Sequence, residues 1–143
     1  MYKEILVPID VEQTELAERA VAVAEDLGKL YGANITALAA IPDFDANPMV
    51  ASYFPDDAGK KAHAEMCAEL DRLVQTHFKD PKKVKCEVRE GSARKVIVSY
   101  VEDHKIDLVV LPARKTDLSK ILLGSNSSYV VHHAPCSVLV IRP

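Results

Sequence analysis

Five short apolar runs, each parted from the next by a longer segment with helical spacing, constrain this chain more than any other feature. The runs are Tyr2 to Ile9, Asn34 to Ile41, Val84 to Val88, Asp107 to Leu111 and Ser137 to Ile141. Between them, Glu15 to Tyr31 places Leu16, Ala20, Val23, Ala24, Leu27 and Leu30 on a helical stripe. Thr14 is its expected N-cap and Gly32 its stop. Lys60 to Phe78 repeats the pattern with Ala64, Cys67, Ala68, Leu70, Leu73 and Val74 inward. Gly91-Ser92 opens a third helix running to His104, with Val96, Ile97, Tyr100 and Val101 inward, and Ser125 to His133 forms a fourth. Asp117 to Leu123 links the fourth run to that last helix. The order β-α-β-α-β-α-β-α-β predicts a parallel sheet with helices on both faces, a doubly wound α/β fold. Right-handed crossovers leave only a few such topologies. The segment Asp43 to Gly59, with Pro48, Pro55 and the aromatic residues Phe44, Tyr53 and Phe54, breaks the rhythm and reads as a loop holding a short turn.

Length and composition narrow the function classes. At 143 residues the chain reads as one domain, 1–143, able to bury a core without staples. The net charge of −3, with Lys and Arg spread along the chain, argues against nucleic acid as a partner. Cys67, Cys86 and Cys136 form no C-x-x-C pair, so neither a zinc site nor a disulfide framework is expected, and a reducing, cytoplasmic setting fits. The chain runs straight into Ile5-Leu6-Val7-Pro8-Ile9, so no secretory leader is expected, and no apolar run approaches membrane-spanning length.

The segment Ile121-Leu122-Leu123-Gly124-Ser125-Asn126-Ser127-Ser128 reads as a glycine turn entering a helix, an arrangement that offers backbone N–H groups to an anion. Together with Tyr2-Lys3-Glu4-Ile5-Leu6-Val7-Pro8-Ile9-Asp10 and with His133-Ala134-Pro135-Cys136-Ser137-Val138-Leu139-Val140, it resembles the universal stress protein family, and within it the small F-type members. The resemblance follows the whole chain in element order and is specific at both ends. It implies a five-stranded sheet in 3-2-1-4-5 order, of the adenine nucleotide alpha hydrolase-like kind, and a bound adenine nucleotide, ATP or AMP, in many members. The family's loop, Gly-x-x-Gly, nine residues, then Gly-Ser, places its first two glycines at Leu111 and Arg114; this chain reads Leu111-Pro112-Ala113-Arg114 there. F-type members often keep an arginine at the second of these positions.

In that sheet order a ligand crevice opens where strands one and four end. The candidate binding residues are Pro8, Ile9 and Asp10 at the first strand's tip, Ile41 at the second, Leu111 and Arg114 at the fourth, and Gly124, Ser125, Asn126 and Ser127 at the helix start. Asp10 can accept from a ribose hydroxyl or satisfy amides of its own loop. Gly124 permits a positive φ and close approach of a ligand. Arg114 brings a side chain where backbone would meet phosphate, yet its guanidinium can grip phosphate in a fork. Lys115 and Lys120 add charge or stay solvated, and Pro112 removes a backbone donor. Binding weaker than in a full-motif member is expected. Ile41 either flanks a base or fills the core. Phe44, Tyr53 and Phe54 either cover a ligand or cover the domain itself. His132 and His133 point about 100° apart on a helix, so no metal site is read there. Cys136 reads as a small buried hydrophobe.

The last strand, Ser137 to Ile141, would be a bare apolar edge, and pairing with a second copy covers it. A small cytoplasmic sensor binding an adenine nucleotide in a homodimer is the leading reading. A nucleotide-free dimeric interaction module, docking an unidentified protein partner, is the alternative that Leu111-Pro112-Ala113-Arg114 favours. No nucleophile, base or metal carboxylate pair marks an enzyme; slow ATP hydrolysis is the most such residues would support, and the sequence leaves a Mg²⁺ requirement open.

Overall fold

The computed structural model describes residues 1–43, 46–113 and 124–142. The strands are β1 (Glu4–Pro8), β2 (Asn34–Ile41), β3 (Val84–Glu90), β4 (Leu108–Pro112) and β5 (Ser137–Ile141). All pair in parallel, in the order β3-β2-β1-β4-β5. The helices are α1 (Thr14–Tyr31), α2 (Pro48–Ala51), α3 (Ala58–His77), α4 (Ala93–His104) and α5 (Ser125–His133), with a short 3-10 turn at Pro81–Lys83.

Period-two alternation explains the two layers. Ile5 and Val7 of β1, with Ile9 just beyond it, enter one core with Ala20, Val21 and Ala24 of α1 and Leu70, Leu73 and Val74 of α3. Leu6 enters the other, with Val96, Ile97, Tyr100 and Val101 of α4 and Val130 of α5. A central strand covered on both faces must be apolar throughout, which is why Ile5-Leu6-Val7-Pro8-Ile9 carries no polar residue. Each such side chain contributes about 1.5–3 kcal/mol by leaving water.

Several local details differ from the sequence reading. The covered stripe of α1 is Ala17, Ala20, Val21, Ala24, Glu25 and Gly28, while Leu30 is 70% exposed. Small residues face the sheet because they let the helix axis approach it; the leucines flank that contact. A Cβ on Gly28 would stand 2.9 Å from Cδ1 of Ile35, so the approach is close. Gln13, not Thr14, is the N-cap, and it makes no side-chain cap bond. Gly32 ends α1 at φ 65°, as expected. Ala64 and Ala68 of α3 are exposed, because α3 lies over the sheet's edge and only a narrow stripe of it is covered. β3 runs two residues past Val88, pairing Ala40 with Arg89 and Ile41 with Glu90.

Glu25 carries a structural role that composition does not reveal. It is buried on α1, and its Oε1 accepts from the N–H groups of Lys79 (2.7 Å) and Asp80 (3.3 Å). These amides follow Phe78, the C-cap of α3, so a carboxylate on one helix receives the chain leaving another.

Candidate functional site

A cavity of about 420 Å³ opens at the carboxyl ends of β1 and β4. That size falls within the range of small-molecule sites. One side is formed by Pro8, Ile9, Asp10, Val11 and Glu12; the opposite side by Leu111, Pro112, Gly124, Ser125, Asn126 and Ser127. Leu38, Ala39, Ala40, Pro42 and Met66 supply an apolar wall, and Ala93, Val96 and Ile97 of α4 complete it.

The sheet order creates this opening. From β1 the chain crosses over to β2 on one side, while β4 lies on the other, which is the arrangement that opens a crevice between two strand tips. β1 and β4 pair through Ile5 with Leu108 and Leu6 with Val109; beyond that the strand tips part. The backbone of Ile9 instead turns to β2, its N–H donating to Leu38 O at 2.8 Å, and Ala113 N–H donates to Ile141 O at 2.9 Å.

Asp10 sits at the mouth and is exposed. Its Oδ1 accepts from Glu12 N–H at 3.0 Å, and its backbone oxygen from Gln13 N–H at 3.0 Å. It therefore shapes the turn into α1, one of the two roles read for it. A carboxylate has about four acceptor positions, so the second role is compatible with the first.

Gly124 differs from expectation in its backbone. Its φ is −59°, so no left-handed conformation demands glycine here. What glycine provides is room: a Cβ at this position would meet no heavy atom of the described residues within 4 Å, on a residue that lines the cavity. Gly124 is the N-cap of α5 without a side-chain cap bond. The helical ladder starts with Ser128 N–H donating to Gly124 O at 2.9 Å. The N–H groups of Ser125, Asn126 and Ser127 precede that ladder, at the positive end of the helix dipole.

Leu111 is buried in the core on the α4 side, in the same cluster as Val96 and Ile97, and the cavity remains open beside it. Ile41 is not brought to the cavity. Its side chain is buried in the core on the α1 side, and its carbonyl accepts from Gly91 N–H at 2.8 Å. Its neighbours Ala40 and Pro42 line the cavity in its place, because alternate residues of a strand face opposite ways. Arg114, Lys115, Lys120, Phe44, Pro143 and the Asp117 to Leu123 link lie outside the described residues. Tyr53 and Phe54 are exposed.

Sequence reasoning missed Met66 and the α4 residues Ala93, Val96 and Ile97 as wall residues. Only the period of α4 hinted at the last two, and it read as plain core. Glu12 was also missed; with Asp10 it places a second carboxylate at the mouth. Among the described lining residues there is no Lys or Arg, so the described part of the site meets an anion only with backbone amides and the dipole.

His132 and His133 each direct Nδ1 at a carbonyl of the preceding turn, Ser128 O at 2.7 Å and Tyr129 O at 2.8 Å. Among the described residues, no three His, Cys, Asp or Glu side chains gather where they could hold a metal ion. Nor is any helix among them long and apolar enough to cross a membrane.

The profile of the universal stress protein family matches residues 1–142. Universal stress protein G of Salmonella typhimurium is 36% identical over 144 residues, spanning 99% of this chain and all of the relative. Among solved structures, the universal stress protein UspA from Lactobacillus plantarum superposes with a TM-score of 0.68 at 32% identity, covering 99% of this chain and 98% of that one. A universal stress protein in complex with cAMP gives 0.69 at 18% identity, covering 98% and 97%, a likeness of fold alone. The sheet order and the neighbours agree on the adenine nucleotide alpha hydrolase-like fold. On a match that runs from end to end, the chain belongs to the universal stress protein family.

Proposed function

We propose that this protein binds an adenine nucleotide, AMP or ATP, in the cavity between the β1 and β4 tips, and that it does so as a regulatory ligand within a homodimer. The observation that carries the reading is the meeting, on one cavity, of a carboxylate at Asp10, an apolar wall at Leu38 to Ala40, and the amide-lined start of α5. Each suits one part of a nucleotide. Asp10 accepts from ribose hydroxyls, the apolar wall takes the base, and the amides of Ser125, Asn126 and Ser127 receive phosphate. The room beside Gly124 supports a close approach there. A protein of the same fold has been solved with cAMP.

Amide bonds to a charged phosphate are worth about 1.5–3 kcal/mol each. Asp10 and Glu12 at the mouth oppose each added negative charge, so the monophosphate is expected to lose least. Calorimetry with AMP, ADP and ATP tests the reading, and the absence of heat at millimolar ligand removes it. Gly124→Val should abolish binding because its added atoms enter the cavity, while the N-cap change should cost no more than about 1 kcal/mol in unfolding.

The second reading, a nucleotide-free dimeric module that docks a protein partner, rests on Leu111-Pro112-Ala113-Arg114, where neither family glycine is present. Mass spectrometry of the small molecules released when the purified protein is denatured separates the two: a copurified adenine nucleotide ends the second reading.

A further inference from the structure

Away from the cavity, α3 and β3 bring together two thiols, each beside a base. Cys67 Sγ lies 3.5 Å from His63 Nδ1, one helical turn earlier on α3. His63 Nε2 lies 3.3 Å from Val88 O on β3. A carbonyl only accepts, so Nε2 carries the hydrogen and Nδ1 is left to accept the Cys67 proton. On β3, Cys86 is close enough to Asp71 of α3 for that carboxylate to act on its thiol. Burial first, then Asp71 and the nearby Cys67, push the Cys86 thiol up to about 12, which keeps it protonated until a base takes its proton.

The two elements place the cysteines level with each other. α3 is the crossover helix between the parallel neighbours β2 and β3, so it runs antiparallel to them. His63 marks the level of Val88. Four residues along the helix rise about 6 Å, and two residues back along the strand cover about 6.6 Å. That step leads from His63 to Cys67 on one element and from Val88 to Cys86 on the other. Val84, Cys86 and Val88 alternate onto the α3 side, and Cys67 and Cys86 pack against the same core. One further helical turn reaches Asp71, at the level of Val84 and within electrostatic reach of Cys86.

We propose that Cys67 and Cys86 form a peroxide-reactive thiol pair, with Cys67 as the attacking sulfur, His63 as its base, and Cys86 as the resolving thiol served by Asp71. In the first step the Cys67 sulfur attacks a peroxide oxygen. An S–O bond forms and the O–O bond breaks. The thiol proton passes through His63 Nδ1 to the leaving oxygen, which departs as water when the oxidant is hydrogen peroxide. Cys67 becomes a sulfenic acid, oxidised by two electrons, and the peroxide is reduced by the same two. In the second step Cys86 attacks the Cys67 sulfur as Asp71 accepts its proton. The S–S bond forms, the S–O bond breaks, and the hydroxyl leaves with that proton as a second water. The product ties α3 to the edge strand and is reversed by a dithiol.

The full-length protein treated with hydrogen peroxide, alkylated and mapped by mass spectrometry tests the proposal. The expected result is a chain lighter by two hydrogens, one peptide pair joined through Cys67 and Cys86, and Cys136 still alkylated. Cys86→Ser should halt the reaction at a Cys67 sulfenic acid that dimedone traps. His63→Gln, with its helical circular dichroism unchanged, should slow the first step by about tenfold or more. Cys67→Ser should abolish oxidation at Cys86. The proposal is overturned if Cys67 and Cys86 both remain alkylatable, if Cys67 is oxidised in the unaltered protein without joining Cys86, if Cys136 reacts as fast, or if His63→Gln leaves the rate unchanged.

Discussion

At one edge of the sheet, β3 carries Lys85, Glu87 and Arg89 on alternate residues; at the other, β5 reads Ser137-Val138-Leu139-Val140-Ile141 with no ionisable side chain. Both strands leave a row of backbone groups unpaired within the sheet. On β3, Lys85 Nζ is 2.9 Å from Glu87 Oε1, and an Arg89 amino nitrogen is 3.3 Å from Glu87 Oε2. The Arg89 guanidinium also lies 5.6 Å from the Tyr100 ring centroid. Any strand arriving there would have to desolvate this ladder of charge. On β5, Leu139 is 38% exposed and the strand itself carries no charge. Edges of the first kind are blunted against association, and edges of the second kind invite it. The contrast supports the proposed homodimer through Ser137 to Ile141, since a symmetric pair covers both copies of the bare edge.

The largest expected effect breaks the open edge. Leu139→Lys should weaken a β5-paired dimer by about 2 kcal/mol or more, the scale of a central interface residue, and shift sedimentation toward the monomer. An unchanged sedimentation coefficient would remove β5 as the contact. The converse change opens the closed edge. Replacing Lys85, Glu87 and Arg89 together with valine should raise light scattering and produce species larger than a dimer; a protein still uniformly dimeric would mean that charge is not what protects β3.

A smaller effect concerns the end of β3. Gly91 has φ +130°, and a Cβ there would stand 3.2 Å from Cγ2 of Val96. Gly91→Ala should cost roughly 1–3 kcal/mol in urea unfolding, with the oligomeric state unchanged. The smallest belongs to the charge ladder. Burial pushes the Glu87 carboxyl up, but the Lys85 hydrogen bond and the charges of Arg89, Lys85 and His104 outweigh it and hold it below its ordinary value of 4.5. A carboxylate lowered on folding stabilises the fold above its unfolded pKa, and the contribution is lost as pH falls through the lowered value. Glu87→Gln should therefore cost under about 1 kcal/mol at neutral pH and low salt, and the difference should vanish in acid below the ordinary carboxylate range. A difference that persists in acid would assign the effect to packing.

The fold was largely legible because its signals are periodic. The alternation of strand-like and helix-like segments implied the doubly wound sheet, and Val96, Ile97, Tyr100 and Val101 of α4 are buried as their spacing required. Gly32 stops α1 where the pattern ended. The candidate site was legible only in outline. Asp10 and Gly124 to Ser127 line one cavity, while Ile41 turns into the core and Met66 takes a place on the wall that nothing in its own surroundings announced. Being at the end of a strand says which end of the sheet a residue occupies; the face it presents depends on register.

From the sequence alone came the element order, the apolar character of the central strands and the family resemblance, because periodicity and local motifs are properties of neighbours along the chain. Tertiary structure decided which stripe of α1 meets the sheet, that Glu25 receives the chain leaving α3, that Gly124 leaves room without a special φ, and that Cys67 and Cys86 pack against one core. Each of these depends on the separation and rotation of elements far apart in the chain, and those are set by packing, which no local pattern records.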